Sequence, residues 1–238
     1  MKLVGIDGCK FGWVAVSLSD RSASLFKSIT DLVDFYDDES LFLIDMAIGL
    51  PDEHTERNCE TLARKELSAK RKSSLFPIPC RKAVYAENYE MANQINRDVL
   101  QKGISKQSWF ICSKIKELDK LLIQNPQLQA RIRESHPEVA FHYLNAKVSM
   151  QFNKKKDEGQ QERLNLLSKF SQNIDAIYNT SIQKFKRKDV AKDDMIDALC
   201  LAVTLEQTIK NNISLESSNL DGKNLVMKIN VFDVSIFG

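Results

Sequence analysis

The sequence predicts an α/β fold in which a mixed sheet carries helices on both faces. Short segments rich in β-branched and apolar residues fill the first quarter of the chain, and helical hydrophobic periodicity dominates most of the rest. A further short apolar segment returns near residue 130, after a long helical stretch. These observations predict the element order βββαβαβα, with a helical insertion after the fourth strand.

The first three predicted strands form a meander at the start of the chain. Turn-forming residues separate them, with Asp7-Gly8 after the first strand and the polar residues 19–22 after the second. We expect Thr30 to cap a short helix that leads to a buried strand at residues 41–44. The three strands of the meander are predicted at residues 3–6, 13–18 and 23–29.

Residues 52–127 are predicted to form the helical insertion. Helical patterns occur at residues 61–71, 87–100 and 108–123, and we expect an irregular loop at residues 73–81. The insertion interrupts a single domain that we expect to span residues 1–210.

The sheet and its helices are predicted to resume after the insertion. We expect a strand at residues 129–134 and a helix that begins at Pro137, because proline is favoured in the first helical turn. The charged residues 153–163 are interpreted as an exposed loop. Residues 211–238 form a C-terminal tail, in which residues 225–234 could add a late strand.

Composition indicates a cytoplasmic protein. The five cysteines are scattered and never form a CxxC pair, which argues against a disulfide framework and against a thiolate zinc site. No apolar run approaches the roughly 20 residues of a membrane helix, and the first residues lack a secretory signal pattern, so we expect no membrane partner. The 34 basic and 32 acidic residues nearly cancel, so net charge neither favours nor excludes nucleic acid.

Four aspartates are the leading candidates for a functional site. Two predicted strands end on a carboxylate, at Asp7 and Asp45. Asp194 and Asp197 lie three residues apart in a strongly helical segment, where such residues are neighbours on one face. A cluster of like charges is costly unless a cation lies among them, and hard oxygen ligands suit Mg²⁺ or Mn²⁺. The pattern therefore predicts a site for two divalent ions with Asp7 between them, which is an arrangement that supports phosphodiester hydrolysis.

Four motifs also give the chain a resemblance to a known family. They are GIDGCKFGWV, LIDMAIGLP, RIRESHPEVAF and DDMIDALCLAV, and the match covers most of the chain, from residue 2 to about residue 203. In these motifs the chain resembles the domain-of-unknown-function family 429, a group of predicted nucleases with a ribonuclease H-like fold. More distantly, the strand-ending aspartates and the Asp194-x-x-Asp197 helix look like the acidic residues of RuvC-type Holliday-junction resolvases. The resemblance implies a ribonuclease H-like sheet and a two-metal nuclease that acts on DNA or RNA.

Four further residues are candidates for the same site. Glu134 closes a predicted strand and could complete the metal shell, although a surface ion pair with a neighbouring arginine explains it equally well. Lys10 follows Asp7 by three residues and could contact a phosphate. The resemblance adds His136 as a proton shuttle or substrate-binding group, and Arg81 of the PIPCR segment as a substrate-binding residue.

The candidates also have structural explanations. Asp7 precedes Gly8, and Asp-Gly is a common hairpin signal. Asp193 and Asp194 could serve as favourable charges at a helix N-terminus, and we choose Asp194 as the metal ligand on the resemblance alone. A hydrogen-bonded structural histidine is the simpler explanation of His136. The basic run at residues 184–192 is interpreted as a solvated face.

Three functions are consistent with these residues. The first is a metal-dependent nuclease, for which a resolvase-like task would require a homodimer. The second is a catalytically silent member of the same fold that binds nucleic acid or protein. The third is a phosphotransferase of the actin-like ATPase class, which we rank last because such enzymes need glycine-rich phosphate turns and the chain has only 8 glycines.

Overall fold

The computed structural model describes residues 1–213 and 219–236. These residues form two compact units. The first unit contains residues 1–45, 131–213 and 230–236, and the second contains residues 46–130 and 219–229. Among the described residues, no helix combines the length and the apolar composition needed to span a bilayer.

A five-stranded mixed sheet forms the centre of the first unit. The strands are β1 (Leu3–Gly8), β2 (Trp13–Ser17), β3 (Ser22–Phe26), β4 (Leu41–Ile44) and β5 (Ile132–Glu134), in the order β3-β2-β1-β4-β5. The first three strands form an antiparallel meander, whereas β4 and β5 extend the sheet in parallel with β1. The predicted α/β class with a mixed sheet is therefore confirmed.

Nine α-helices lie within the described residues. In chain order they are α1 (Ile29–Phe35), α2 (Cys59–Glu66), α3 (Arg81–Val84), α4 (Tyr89–Leu100), α5 (Lys106–Gln124), α6 (Pro137–Leu144), α7 (Asp157–Leu167), α8 (Ile174–Lys184) and α9 (Lys192–Lys210). Helices α2 to α5 follow β4 in the chain and belong to the second unit. The start of α6 at Pro137 is as predicted.

Helix α9 packs directly on one face of the sheet. At Gly5 in β1, an added Cβ atom would lie 2.1 Å from the carbonyl oxygen of Ala198 and 2.2 Å from the amide nitrogen of Ala202. The absence of a side chain at this position lets the helix backbone approach the strand. The contact fixes α9 against β1, with the buried side chains of Val16 and Leu43 in the same hydrophobic core.

Helix α1 packs near the opposite face. It begins after Ser28, whose hydroxyl oxygen accepts a hydrogen bond from the Asp31 amide at 3.0 Å, so the predicted cap at Thr30 is wrong by two residues. Just after α1, the ring of Tyr36 contacts the ring of Phe42 at a centroid distance of 5.7 Å. Phe42 is next to Leu43 in β4, and successive side chains of a strand point to opposite faces. The first unit therefore has helices on both faces of its sheet.

The prediction of an exposed loop at residues 153–163 is wrong for most of that range, because α7 begins at Asp157. The sequence is polar, yet Arg163 is fully buried. Its guanidinium donates to the Glu138 carboxylate at 2.6 Å and lies 5.2 Å from the centre of the Phe141 ring. Because α7 buries an ion pair at a position where helices usually bury an apolar side chain, the hydrophobic pattern of the sequence does not reveal this helix.

Two further predicted strands differ from the structure. Strand β5 begins at Ile132 because residues Pro126–Ala130 form a 3-10 helix. Residues 225–234 contain no strand. The backbone and side-chain amides of Asn230 both donate to the carbonyl oxygen of Glu134 at 2.9 Å, and the Asn230 carbonyl oxygen accepts from the Ser135 hydroxyl at 2.7 Å, so this part of the tail is attached by separate contacts and does not form a ladder.

The second unit is helical and has a core of its own. Cys80, Ala83, Ala92 and Ile104 are buried together, with the rings of Tyr89 and Trp109 packed beside them. The predicted loop at residues 73–81 is irregular for most of its length, although Lys72–Ser74 forms a 3-10 turn and α3 begins at Arg81.

Candidate functional site

Asp7 and Asp45 lie level with each other at the carboxyl ends of two adjacent parallel strands. Ile6 is in register with Ile44, and the Asp45 amide donates to the Ile6 carbonyl oxygen at 2.9 Å, which continues the ladder by one residue. Asp7 is two residues beyond Gly5 and therefore faces α9, as Gly5 does. Asp7 is buried, with 7% of its surface exposed.

Helix α9 brings two more carboxylates to this position. Asp197 is 2% exposed, and its charge, together with that of Asp194, acts on Asp7. Asp194 also has a structural role, because its carboxylate accepts a hydrogen bond from the Ala191 amide at 3.0 Å. The structure therefore brings together the four predicted aspartates of three distant chain segments, and we call them the acidic cluster: Asp7, Asp45, Asp194 and Asp197.

Burial and mutual repulsion perturb the pKa values in the acidic cluster. Burial, followed by the charges of Asp45, Asp197 and Asp194, raises the pKa of Asp7 well above its usual range. Burial also raises the pKa of Asp45. The pKa of Asp194 is raised to about 6, again mainly by burial. Such like charges resist simultaneous ionisation unless positive charge is supplied among them.

Lys154 supplies a positive charge to the acidic cluster. Its Nζ atom lies 2.7 Å from Oδ2 of Asp197, and the negative charge of Asp197 raises the pKa of Lys154 above its usual range, so the ammonium stays protonated. The sequence analysis missed this residue because it assigned the surrounding run to an exposed loop. The only available signal was that the run precedes the apolar residues Leu164, Leu166 and Leu167, which α7 buries.

His136 and Glu138 act on the site through Asp45. The charge of His136, at the start of α6, lowers the pKa of Asp45, whereas the charge of Glu138 raises it. Glu138 is buried and paired with Arg163. The structure therefore places His136 near Asp45 of the acidic cluster, as the resemblance implies, and adds Glu138 as a second group whose charge acts on Asp45.

Glu134 does not join the acidic cluster. It is in register with Ile44, one residue before Asp45, so its side chain points to the opposite face of the sheet from those of Asp7 and Asp45. The expectation that Glu134 completes a metal shell is not consistent with this register.

Lys10 lies exposed in the turn between β1 and β2, and none of the ion pairs among the described residues includes it. Lys154, rather than Lys10, is therefore the lysine that pairs with an aspartate of the cluster.

Arg81 belongs to the second unit, where its guanidinium is paired with two buried carboxylates. It donates to Asp119 through Nε at 3.1 Å and Nη2 at 2.9 Å, and Nη2 also donates to Asp221. The Tyr85 hydroxyl donates to the same Asp119 carboxylate at 2.8 Å. Asp119 and Asp221 therefore neutralise the positive charge of Arg81 within the second unit.

The donor chemistry of the acidic cluster fits a hard divalent cation, since all four groups offer carboxylate oxygens. The side-chain arrangement is not that of a formed metal site. Among residues 1–213 and 219–236, no three Asp, Glu, His or Cys side chains are placed to hold one ion. Ion binding would require the carboxylates to turn toward a common point.

A family model described as "Protein of unknown function (DUF429)" matches residues 5–211 of the chain. Neither the curated proteins nor the solved structures gave a match.

Proposed function

We propose, for a chain that belongs to the family described as "Protein of unknown function (DUF429)", a metal-dependent nuclease activity that hydrolyses phosphodiester bonds of DNA or RNA. One observation carries the proposal. Four aspartates, one in β1, one directly after β4 and two in α9, meet at one edge of one sheet face, and the pKa values of three of them are raised by burial and mutual repulsion.

A cluster of buried carboxylates lowers the stability of the folded protein, which favours a functional explanation. Burying a carboxylate without full compensation costs several kcal/mol, on the order of 2–7 even for a neutral polar group. A single lysine offsets part of the charge of four aspartates. Perturbed carboxylates in this arrangement are typical of functional sites.

Asp7, Asp45, Asp194 and Asp197 would hold Mg²⁺ or Mn²⁺. Two bound ions would supply an activated water and stabilise the leaving oxygen. Residues of the chain would hold the ions and contact the substrate. Asp7, at the centre of the sheet, would be a principal ligand, and Asp194 would contribute a carboxylate that also accepts the hydrogen bond from the Ala191 amide. His136, beside Asp45, would bind a phosphate oxygen or carry a proton.

The test is metal-dependent cleavage of fluorescently labelled single-stranded and duplex DNA and RNA. We expect cleavage by the wild type in Mg²⁺ or Mn²⁺ and its loss in Asp45→Asn. Asp31→Asn, at an exposed position of α1, is the matched control and should cleave normally. Equal cleavage by Asp45→Asn and Asp31→Asn would refute the proposal.

The second candidate is a catalytically silent member that binds nucleic acid or protein. The Lys154–Asp197 ion pair favours it, because an internal ammonium can serve as a permanent counter-ion of the cluster. This function predicts binding that is insensitive to Mg²⁺ and to carboxylate substitution, so the same Asp45→Asn variant distinguishes the two.

A further inference from the structure

The loop between α8 and α9 carries three consecutive exposed basic residues, Lys186, Arg187 and Lys188. Two hydrogen bonds tie the α9 end of this loop to elements of the acidic cluster. The Phe11 amide, four residues after Asp7, donates to the Asp189 carbonyl oxygen at 2.9 Å. Two residues later, the Ala191 amide donates to the Asp194 carboxylate. The basic loop is therefore held beside the acidic cluster.

A second basic segment reaches the cluster from the start of α7. Lys154 points to Asp197, whereas its neighbours Lys155 and Lys156 are exposed. The Phe152 amide donates to the Glu162 carboxylate at 3.0 Å, which fixes the segment to α7. Lys155 and Lys156 therefore emerge next to the position where Lys154 enters the cluster.

Each basic segment has an exposed aromatic ring at its side. Phe152 is 54% exposed and precedes the lysines of the α7 segment, and Phe11 is 39% exposed in the turn bonded to the other basic loop. Single exposed apolar residues are common on protein surfaces. Here the two rings lie beside basic residues near one cluster of carboxylates. Proteins bind unpaired nucleotides with this combination of cations and exposed aromatic rings.

We propose that this surface binds single-stranded nucleic acid. The basic rim contacts the phosphates and consists of Lys10, Lys155, Lys156, Lys186, Arg187 and Lys188. Phe11 and Phe152 stack on bases, and the strand passes over the acidic cluster between the two basic segments. The inference rests on the proposed function, because it identifies the substrate class of that site.

Single strands suit this surface better than the alternatives. Stacking on Phe11 or Phe152 needs a base whose face is open, which a duplex offers only at its ends. An acidic peptide or an anionic membrane would neutralise the rim but would leave the carboxylates of the acidic cluster facing further negative charge. The stacking rings and the carboxylate cluster together favour a nucleic-acid strand whose phosphates can share bound cations.

The test is binding of a fluorescently labelled oligothymidylate of about 20 nucleotides, measured by anisotropy in EDTA at several salt concentrations. The rim variant is Lys186→Ala/Lys188→Ala. Its matched control, Lys169→Ala/Lys210→Ala, removes the same charge at two exposed positions, one just beyond the far end of α7 and one at the last residue of α9. Lys210 lies about 27 Å from the start of α9, at 1.5 Å per residue.

We expect tighter binding of the single strand than of the matching duplex. In the rim variant the slope of log K against log salt should fall by about 1.4, at roughly 0.7 per phosphate contact, and the control should keep the wild-type slope. Phe152→Ala should weaken binding about fivefold or more, and Phe152→Trp should retain it.

Equal affinities of the rim variant and its control would overturn the inference and leave the lysines as a solvated face. Duplex binding as tight as single-strand binding would also overturn it. So would preferential binding to vesicles that contain phosphatidylserine. Asp7→Asn separates this inference from the proposed function, because it should lose cleavage and keep binding in EDTA. Cleavage that survives in Asp7→Asn would refute the proposed function alone.

Discussion

The Nζ atom of Lys154 lies 2.7 Å from Oδ2 of Asp197, and the Asp197 side chain is only 3% exposed. The pair joins the segment before α7 to the second turn of α9, across 43 positions of sequence. Because Asp7, Asp45 and Asp194 interact with the same carboxylate or with its ammonium partner, this ammonium offsets part of their repulsion, as the charge of His136 does at Asp45. A divalent ion bound by the cluster would compete with it for Asp197.

Lys154→Met should therefore destabilise the metal-free protein. Breaking a buried ion pair costs about 3–5 kcal/mol, but the Lys154 side chain is 35% exposed, so we expect about 1–3 kcal/mol. Urea unfolding in EDTA measures the loss, with Lys169→Met as the control. Added Mn²⁺ should restore more stability to Lys154→Met than to the wild type. A variant as stable as the wild type would show that the ammonium does not balance the cluster.

Asp194→Asn should change how stability depends on pH. The folded pKa of Asp194, about 6, exceeds its usual value of 3.8, so between these values the folded state binds more protons than the unfolded state. Asp194 therefore costs stability progressively as pH rises from 3.8 to about 6. The amide retains an acceptor for the Ala191 hydrogen bond, so Asp194→Asn should be more stable than the wild type at pH 7, by up to about 3 kcal/mol. Parallel pH–stability curves of the two proteins would contradict this assignment.

Gly5→Ala should displace α9. The new Cβ atom would meet backbone atoms of Ala198 and Ala202 at 2.1 and 2.2 Å, and backbone cannot move aside as a side chain can. We expect a loss of about 3 kcal/mol or more in unfolding free energy, together with weaker Mn²⁺ binding because Asp197 moves with the helix. At Gly103 the nearest atoms are side-chain atoms at 3.0 Å or more, so Gly103→Ala is the milder control. Similar losses in both variants would contradict the packing argument.

Arg81→Lys tests the charge network of the second unit. Lysine keeps the positive charge but cannot reproduce the forked contacts to Asp119 and Asp221. We expect a loss of about 1–3 kcal/mol in thermal or urea unfolding, and no change in oligonucleotide affinity per folded molecule. Unchanged stability with weakened oligonucleotide binding would instead support the prediction that Arg81 contacts a phosphate.

The sequence predicts the parts of the fold and of the cluster that depend on local patterns. Strand β4 is found at the predicted residues Leu41–Ile44, and the carboxylates at Asp7 and Asp45 follow from where apolar runs end. The predictions that are wrong or incomplete concern contacts between residues that are distant in the sequence. Lys154 is one of three consecutive lysines, and only the fold shows that it reaches Asp197. The prediction that Glu134 completes the metal shell is wrong because strand register decides which face of the sheet a side chain occupies.

Calorimetric titration of Mn²⁺ into the wild type and Asp7→Asn shows whether the acidic cluster holds metal, and it requires no knowledge of the substrate. We expect saturable binding by the wild type and loss of that binding in Asp7→Asn, with Asp31→Asn binding as the wild type does. No binding by the wild type at millimolar Mn²⁺, even with a short oligonucleotide present to supply phosphate oxygens, would contradict a metal-dependent nuclease and leave a binding protein whose cluster is neutralised by Lys154.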